Sequence, residues 1–275
     1  STQAKTLFPY TTLFRSTTCL HIIPSYATRL AEVMYEEGID PRKDTKLHTV
    51  CIGAEPHSEE QRKRIEQLLG VKAYNCFGMS EMNGPGVAFE CTEQNGLHIW
   101  EDNVIVEIVD PVTLQPVPEG EVGELVLTSI NREAMPLLRY RTRDLTCILP
   151  GDCPCGRTHK RLARFKGRSD DMIILKGVNL FPIQIEKILM QFKELGSNYL
   201  ITLETIGNSD EMLIEVELSD LFTDDYSALQ RLTKGITRQL KDELLLTPRI
   251  KLVAKGSLPT TDGKAVRVKD HRKLC

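Results

Sequence analysis

The sequence predicts an α/β fold in which a parallel sheet is followed by an antiparallel β region and then by a small α+β domain. Three observations support this prediction: helices and apolar strands alternate up to residue 76, short β segments fill residues 97–149, and strands mix with helices after residue 172. The chain has 275 residues, of which 41% are apolar and 27% charged, values typical of globular proteins. A net charge of −3 and the lack of a long apolar run give no reason to expect nucleic acid or a membrane as partner.

The parallel sheet is predicted from helix caps and apolar runs. Residues 27–37 have apolar side chains at helical spacing, and residues 47–52 form a short apolar run typical of a buried strand. Ser58 supplies an N-cap and Gly70 a stop signal for a second helix, after which residues 71–76 form another strand. Helices that alternate with strands in this way favour parallel strand pairing.

The β region has short alternating strands separated by turns such as DPVTLQPVPEGEVG. This pattern is consistent with an antiparallel sheet or with a small, β-barrel-like structure. A charged joint follows at residues 168–171, and after it the order β-α-β-β-α-β predicts a ferredoxin-like small domain. Pro182 opens the first helix of that domain, in the position that proline prefers.

The eight cysteines favour a reducing cytoplasm over a disulfide framework, because the chain is large and shows no credible signal peptide. Cys153 and Cys155 form a close pair, and Cys91 and His98 lie in the preceding β region. Three thiolates and one imidazole are a normal structural Zn²⁺ set, with His159 as a rival ligand. The alternative is two loop cysteines near a free buried one.

Two segments offer groups suited to a nucleotide. In YNCFGMSE, a strand leads into a glycine turn that presents Ser80, which could bind a phosphate oxygen, and Glu81, which could hold Mg²⁺. In LRYRTRD, the carboxylate of Asp144 could accept both hydroxyls of a ribose. Taken alone, the first segment is better explained as an ordinary strand-to-loop turn, and the second as a solvated salt-bridge cluster.

Two later segments complete the set. KGRSDDMIILKGVNLFP places two aspartates beside Arg168 and then a lone glycine, Gly177, as expected for a joint followed by close backbone approach. SLPTTDGKAVRV presents Lys264, a compact cation suited to a carboxylate and a phosphate at once. The alternatives are a plain linker and an ordinary surface lysine.

In this order and spacing, the four segments resemble the adenylate-forming superfamily of acyl-CoA synthetases, luciferases and adenylation domains. The flanking runs GPGVAFE, IWEDN, EIVDPVT, GELVLTS, GRSDDMIILKGVN and GKAVRV are similar to those of the phenylacetate-CoA ligase type. The resemblance covers residues 17–275, and it is specific because several motifs occur in the same order.

The resemblance implies two half-reactions: an aryl acid attacks the α-phosphate of Mg·ATP, and CoA then displaces AMP. It also implies a role for each matching residue, and a pocket for the aryl group that lies partly along residues 79–86. Asn75 stands where some relatives have an aspartate. For the nucleotide, the resemblance implies that Asp144 binds the ribose, Ser80 a phosphate and Glu81 the Mg²⁺, and that Arg168 lies nearby. It implies that Lys264 bridges the carboxylate and the α-phosphate, that Asp170 is the hinge and that Gly177 lets CoA approach. The residues implied to border the adenine are Gly53, Ala54, Glu55, Pro56, Tyr74 and Asn75.

The resemblance also sets expectations for the domains and for the start of the chain. Residues 1–16 include LFPYTTLFRS, which is interpreted as a non-native leader, with a short strand and turn as the alternative. Residues 17–168 are expected to be the later part of a large AMP-binding domain, residues 169–171 a hinge and residues 172–275 the small domain. No phosphate-binding TSGTTG-like run occurs, so little ligase activity is expected of this chain alone.

Three alternatives remain open at this stage: a ligase for another aryl acid, an adenylation domain that loads a carrier protein, and a fragment without catalytic activity. A homodimer is also left open.

Overall fold

The computed structural model describes residues 16–82, 84–207, 209–219, 226–259 and 265–272. The strands in this part of the chain form one seven-stranded sheet, two four-stranded sheets and one two-stranded sheet. In chain order, the elements are β1 (Cys19–Ile22), α1 (Pro24–Glu36), α2 (Pro41–Asp44), β2 (Thr49–Gly53), α3 (Glu59–Leu69), β3 (Lys72–Met79), β4 (Gly84–Glu90), β5 (Leu97–Ile99), β6 (Val104–Val109), β7 (Gly123–Ser129), β8 (Tyr140–Thr146), β9 (Ile148–Leu149), β10 (Arg161–Leu162), β11 (Gly167–Arg168), β12 (Ile173–Leu175), β13 (Val178–Leu180), α4 (Pro182–Leu189), β14 (Leu195–Ile206), β15 (Ser209–Leu218), α5 (Tyr226–Leu244), β16 (Arg249–Val253) and β17 (Val268–Asp270).

The first sheet has the strand order β1-β2-β3-β4-β5-β10-β9. Strands β1, β2 and β3 are parallel, as predicted, and β4 begins the antiparallel part of the sheet. Helix α3 begins and ends where the sequence indicates: Ser58 Oγ accepts from the Gln61 N–H at 3.2 Å, and Gly70 has φ +68°. Helix α1 begins three residues earlier than predicted, at Pro24, because proline suits the first helical turn. Helices α1 and α3 pack on β2: Ala31 of α1 and Ile65 and Leu69 of α3 share a core with Ile52 of β2.

The second sheet has the order β11-β8-β7-β6, and all its neighbouring strands are antiparallel. Of the two structures that the sequence left open for this region, the antiparallel sheet is therefore the one observed. The sheet shares a core with β4 and β5, to which Val87, Leu97, Leu125 and Leu127 contribute. The α/β class predicted from the sequence is confirmed.

The residues after Asp171 have a hydrophobic core of their own, drawn from positions 173–246. Strands β14 and β15 are antiparallel and lie in a sheet of order β16-β15-β14-β17. The predicted hairpin, β12 and β13, forms a separate two-stranded sheet, and β17 takes the edge beside β14. The first strand pair therefore lies outside the four-stranded sheet, although its Ile173, Leu175 and Leu180 belong to the same core. Among the described residues, no helix combines the length and the hydropathy that crossing a bilayer requires.

Candidate active site

The carboxyl ends of β2 and β3 bring two of the predicted motifs to one edge of the first sheet. The two strands are parallel neighbours, with Gly53 opposite Cys76, so the residues that follow each strand leave the sheet on the same side. Gly53 ends β2 and is followed by Ala54–Pro56, whereas Ser80 and Glu81 lie in a short 3₁₀ turn after β3. Ser80 is exposed and Glu81 is half-buried. In α/β sheets, ligands bind outside this edge.

Gly53 must be a glycine because β2 and β3 approach closely at this point. A Cβ atom at Gly53 would collide with the backbone carbonyl of Cys76 and would lie 2.7 Å from its Sγ atom. We expect Gly53→Ala to lower the free energy of unfolding by about 3 kcal/mol, as overpacking does in other buried sites. Urea denaturation measures this change. Gly86→Ala is the control, because its Cβ would meet nothing within 4 Å and should change stability little.

Glu55 connects this edge to the C-terminal motif. Its carboxylate accepts hydrogen bonds from the Ser25 N–H at 3.0 Å and from the Ser25 hydroxyl at 2.9 Å, in the first turn of α1. The same carboxylate accepts from the Ala265 N–H at 2.8 Å. The segments GAEP and GKAVRV, which lie 210 residues apart, are therefore in direct contact. Lys264 itself lies outside the described residues.

Tyr74 and Asn75 lie within β3, beneath the motif at its carboxyl end. Asn75 is buried, and its backbone N–H donates to the Glu90 carboxylate at 2.7 Å. Tyr74 is half-buried. The Phe77 ring packs on Phe165 with 4.5 Å between centroids, so residues just before β11 lie beside the same strand.

Asp144 lies in β8, where the arginines of its motif have other partners. Arg139 donates to Glu107 at 3.1 Å. Arg141 binds the buried carboxylate of Glu124 through two hydrogen bonds, of 2.8 and 2.7 Å. Arg143 lies 3.8 Å from the same carboxylate. The salt-bridge interpretation of this segment therefore describes its arginines, and not its aspartate.

Asp144 pairs in register with Arg168, on the antiparallel strand β11. The Arg168 guanidinium binds Asp170 through two hydrogen bonds, of 2.9 and 2.8 Å, and lies 3.7 Å from Asp171. Burial raises the pKa of Asp144 to about 6, and the charge of Arg168 offsets this rise only in part. Asp144 is thus a partly desolvated carboxylate. Arg168, the residue opposite it on β11, is already paired with Asp170 at the predicted hinge.

A contact that sequence reasoning missed joins α3 to the C-terminal part of the chain. One oxygen of Glu186, in α4, accepts from the Ser58 N–H at 2.8 Å, and the other accepts from the Tyr199 hydroxyl at 3.1 Å. Glu186 is buried, which raises the pKa of its carboxyl. Arg64 of α3 adds a hydrogen bond of 2.6 Å to the Leu195 carbonyl. We call these interactions the α3 interface.

A second missed cluster involves His57 and Glu59, the residues on either side of Ser58. Arg164 donates to the His57 carbonyl at 3.2 Å and to Glu59 at 2.8 Å, and it lies 3.8 Å from Glu90. Burial lowers the pKa of His57 to about 4, so its imidazole is neutral at pH 7. A buried acid-base cluster of this kind has no sequence signature, because its members are far apart in the chain.

The remaining predicted residues lie in two other places. Cys91, His98, Cys153 and Cys155 come together, with all their ligand atoms within 4.8 Å of one another. Gly177 lies in the turn between β12 and β13, with φ +79° beside Lys176 at φ +50°, and it is exposed. Positive φ at both turn residues is the geometry of a tight hairpin, which glycine favours.

A cavity of about 170 Å³ lies beside the segment predicted to border the aryl pocket. Met82 and Gly86 contribute to it from that segment. The rest of its lining is Asn103, Val104, Ser129 and Asn131. A cavity of about 150 Å³ is enough to hold a benzene ring.

Two family models match the chain: that of the AMP-binding enzymes at residues 12–132, and that of the AMP-binding enzyme C-terminal domain at residues 177–272. The chain belongs to the AMP-binding, adenylate-forming enzymes. Within them it is similar to the phenylacetate-coenzyme A ligases of Thermus thermophilus, with 42% identity over 265 residues, and of Pseudomonas putida, with 44% over 253. Each alignment covers 91% of this chain but only 59% and 57% of the relative, so the chain spans less than three fifths of their length.

A solved 2-hydroxyisobutyryl-CoA ligase provides a structural comparison in two states. In its postadenylation state with an acyl adenylate, it matches 92% of this chain, and 54% of its own, at 32% identity and a TM-score of 0.86. In its thioesterification state with CoA, the match covers 93% of this chain and 54% of its own, and the TM-score falls to 0.54. The arrangement of this chain is therefore closer to the postadenylation state of that enzyme.

Proposed function

We propose that this chain holds the acyl adenylate in a ligase that activates an aryl acid, phenylacetate, with ATP and transfers the acyl group to CoA. The observation that carries the proposal is the Ala265–Glu55 hydrogen bond. It joins the residue after Lys264 to the carboxyl end of β2, beside the turn of Ser80 and Glu81. The similarity to phenylacetate-CoA ligases and to an adenylate-bound ligase supports the same interpretation.

In the first half-reaction, a carboxylate oxygen of the acid attacks the α-phosphorus of ATP. The bond from that phosphorus to the β-phosphate oxygen breaks, and pyrophosphate leaves with the electron pair. Asp144 accepts hydrogen bonds from the two ribose hydroxyls and so fixes the position of the nucleotide. Lys264 stabilises the negative charge that the carboxylate and the α-phosphate share. Catalysis of this step rests on positioning and charge stabilisation.

We assign Mg²⁺ to Glu81, with Ser80 on the adjacent phosphate. A half-buried carboxylate next to an exposed hydroxyl offers the hard oxygen donors that Mg²⁺ prefers, and leaves room for phosphate and water ligands. When bound, the ion neutralises charge on the phosphates. In this proposal, Glu81 and Ser80 hold the phosphate end of the nucleotide at the sheet edge, and Asp144 holds its ribose.

In the second half-reaction, the sulfur of CoA attacks the carbonyl carbon, the bond to the AMP oxygen breaks, and the thiol proton passes to solvent. We propose that residues 172–275 are a small domain that rotates about Asp170 against the large-domain residues 17–168. The separate core after Asp171 supports this division. Rotation would break the Arg168–Asp170 pair and the α3 interface, and Gly177 would then face the pantetheine arm.

The free thiols of the seven described cysteines suit a reducing compartment, and we place the protein in the cytoplasm. Zn²⁺ has no part in either half-reaction.

The proposed function can be tested on this chain with AMP, with the adenylate intermediate and with CoA. Calorimetry should detect binding of AMP and of phenylacetyl adenylate, and preformed phenylacetyl adenylate with CoA should give phenylacetyl-CoA. Benzoyl and 2-hydroxyisobutyryl adenylates, and a carrier protein in place of CoA, test the alternative acids and acceptors. A folded chain that binds neither AMP nor any adenylate would contradict the proposal.

A further inference from the structure

The cysteine and histidine cluster lies where two loops meet. Cys91 directly follows β4, and His98 lies in the middle of β5. Cys153 and Cys155 lie in the loop between β9 and β10. Cys91 Sγ is 3.6 Å from Cys153 Sγ, and Cys155 Sγ is 3.4 Å from His98 Nε2.

We propose that Cys91, His98, Cys153 and Cys155 bind one Zn²⁺ ion as a structural site. Zinc bonds of about 2.3 Å to sulfur and about 2.0–2.1 Å to nitrogen place tetrahedral ligand atoms about 3.4–3.8 Å apart. Both close distances of the cluster fall in this range. The distance between the Cys91 and Cys153 sulfurs is far too long for a disulfide, whose sulfurs lie about 2.05 Å apart. On binding, the three thiols release their protons to solvent.

The groups around the cluster orient the imidazole toward the ion. His98 Nδ1 lies 3.3 Å from the His159 carbonyl, so Nδ1–H is the donor and the Nε2 lone pair points to the three sulfurs. His159, the rival ligand, places its own Nδ1 2.7 Å from the Ile99 carbonyl and lies outside the set of four. The geometry therefore selects His98 over His159.

The position of the cluster makes the ion structural and not catalytic. Four protein ligands close a tetrahedral site and leave no open position for substrate. Cys91 follows the far end of β4 from the Ser80–Glu81 turn, and the six residue steps of that strand span about 20 Å. The ion would hold the loop of residues 153–155 against β4 and β5. Arg161 already joins the same loops, through hydrogen bonds of 2.9 Å to the Asn95 carbonyl and 3.0 Å to the Gly151 carbonyl.

The test is the zinc content of the purified chain, measured by elemental analysis. We expect close to one zinc per chain, and close to none in Cys155→Ser and His98→Gln. Cys51→Ser is the matched control, because Cys51 lies in β2 outside the cluster, and it should keep the ion. A Cys155→Ser chain that keeps a full equivalent of zinc would overturn the proposal.

A second measurement avoids any variant that fails to fold. The wild-type chain is stripped with a chelator and titrated with Co²⁺ and then with Zn²⁺. We expect one equivalent of Co²⁺ to give the absorption of a tetrahedral thiolate site, and one equivalent of Zn²⁺ to abolish it. Removing the ion should lower Tm by about 5–10 °C, and zinc should restore it. A stripped chain that takes up neither ion refutes the site, whatever the outcome for ligase activity.

Discussion

Asp144→Asn should weaken the binding of AMP by about 30- to 150-fold, the equivalent of about 2–3 kcal/mol. The ionised carboxylate of Asp144 accepts from both ribose hydroxyls in the proposed complex, and hydrogen bonds to a charged acceptor are the stronger kind. An asparagine amide keeps only one acceptor oxygen and carries no charge. Calorimetric titration of the folded chain with AMP measures the loss.

The same substitution should stabilise the chain in the absence of nucleotide. Asp144 has a pKa of about 6 when folded, against 3.8 as a free side chain, so the folded state binds more protons between these pH values. The free energy of unfolding therefore falls as the pH rises from about 4 to about 6. At pH 7 the whole loss of stability from ionising the buried Asp144 is present. The whole shift corresponds to about 3 kcal/mol, and partial exposure reduces it to about 1–2 kcal/mol. Asparagine removes this cost, so Tm should rise as affinity falls.

AMP affinity should also depend on pH in a way that the variant does not share. Below pH 6 the carboxyl of Asp144 becomes protonated, and affinity should fall by about tenfold per pH unit. The Asp144→Asn variant should show no such slope. Asp102→Asn, at an exposed aspartate in a turn, is the control and should match the wild type in both measurements. A loss of Tm together with affinity would indicate a structural role for Asp144 and contradict its role in ribose binding.

The predictions from sequence were good where a local signal determines the structure. Ser58 and Gly70 cap α3 at the predicted residues because a side-chain acceptor and a positive φ are properties of the residues themselves. Pro182 likewise fixes the first turn of α4. In contrast, β14 pairs with β15 on one side and with β17 on the other, and no local pattern in the sequence indicates the pairing with β17.

The candidate site divides in the same way. Motif order led to Ser80, Glu81 and Asp144, but the partners of these motifs depend on which residues the fold brings together. Glu55 was predicted as part of the adenine border, and its carboxylate also bonds to Ser25 and Ala265. Glu186 lies in a helix whose sequence suggests an ordinary amphipathic surface, so its burial against Ser58 could not be predicted.

Glu186 holds the two parts of the chain together through the N-terminus of α3. Its carboxylate accepts the Ser58 N–H just before the first turn of α3, where the helix dipole favours a negative charge. Tyr199 donates to the other oxygen, and Arg267 stacks on the Tyr199 ring at 4.6 Å. The rotation that we propose for thioester formation would separate α3 from α4, so we expect this contact only in the arrangement that forms the adenylate.

Glu186→Ala should therefore shift the equilibrium between the two arrangements away from the adenylate-forming one, by about 10- to 100-fold in its equilibrium constant. This factor is the equivalent of losing a charged hydrogen bond of about 1.5–3 kcal/mol. Hydrogen exchange should become faster by this factor at the Ser58 amide and the first turn of α3, while amides of β14 and β15 keep their protection. Glu186→Gln retains an acceptor for Ser58 and should give an intermediate shift, and Glu204→Gln, at an exposed position on β14, should give none. If exchange rises equally in β14 and β15, Glu186 supports the core of the C-terminal part. If exchange at the Ser58 amide is unchanged, the contact does not hold the two parts together. Only faster exchange confined to the α3 interface identifies Glu186 as the residue that sets the balance between the two half-reactions.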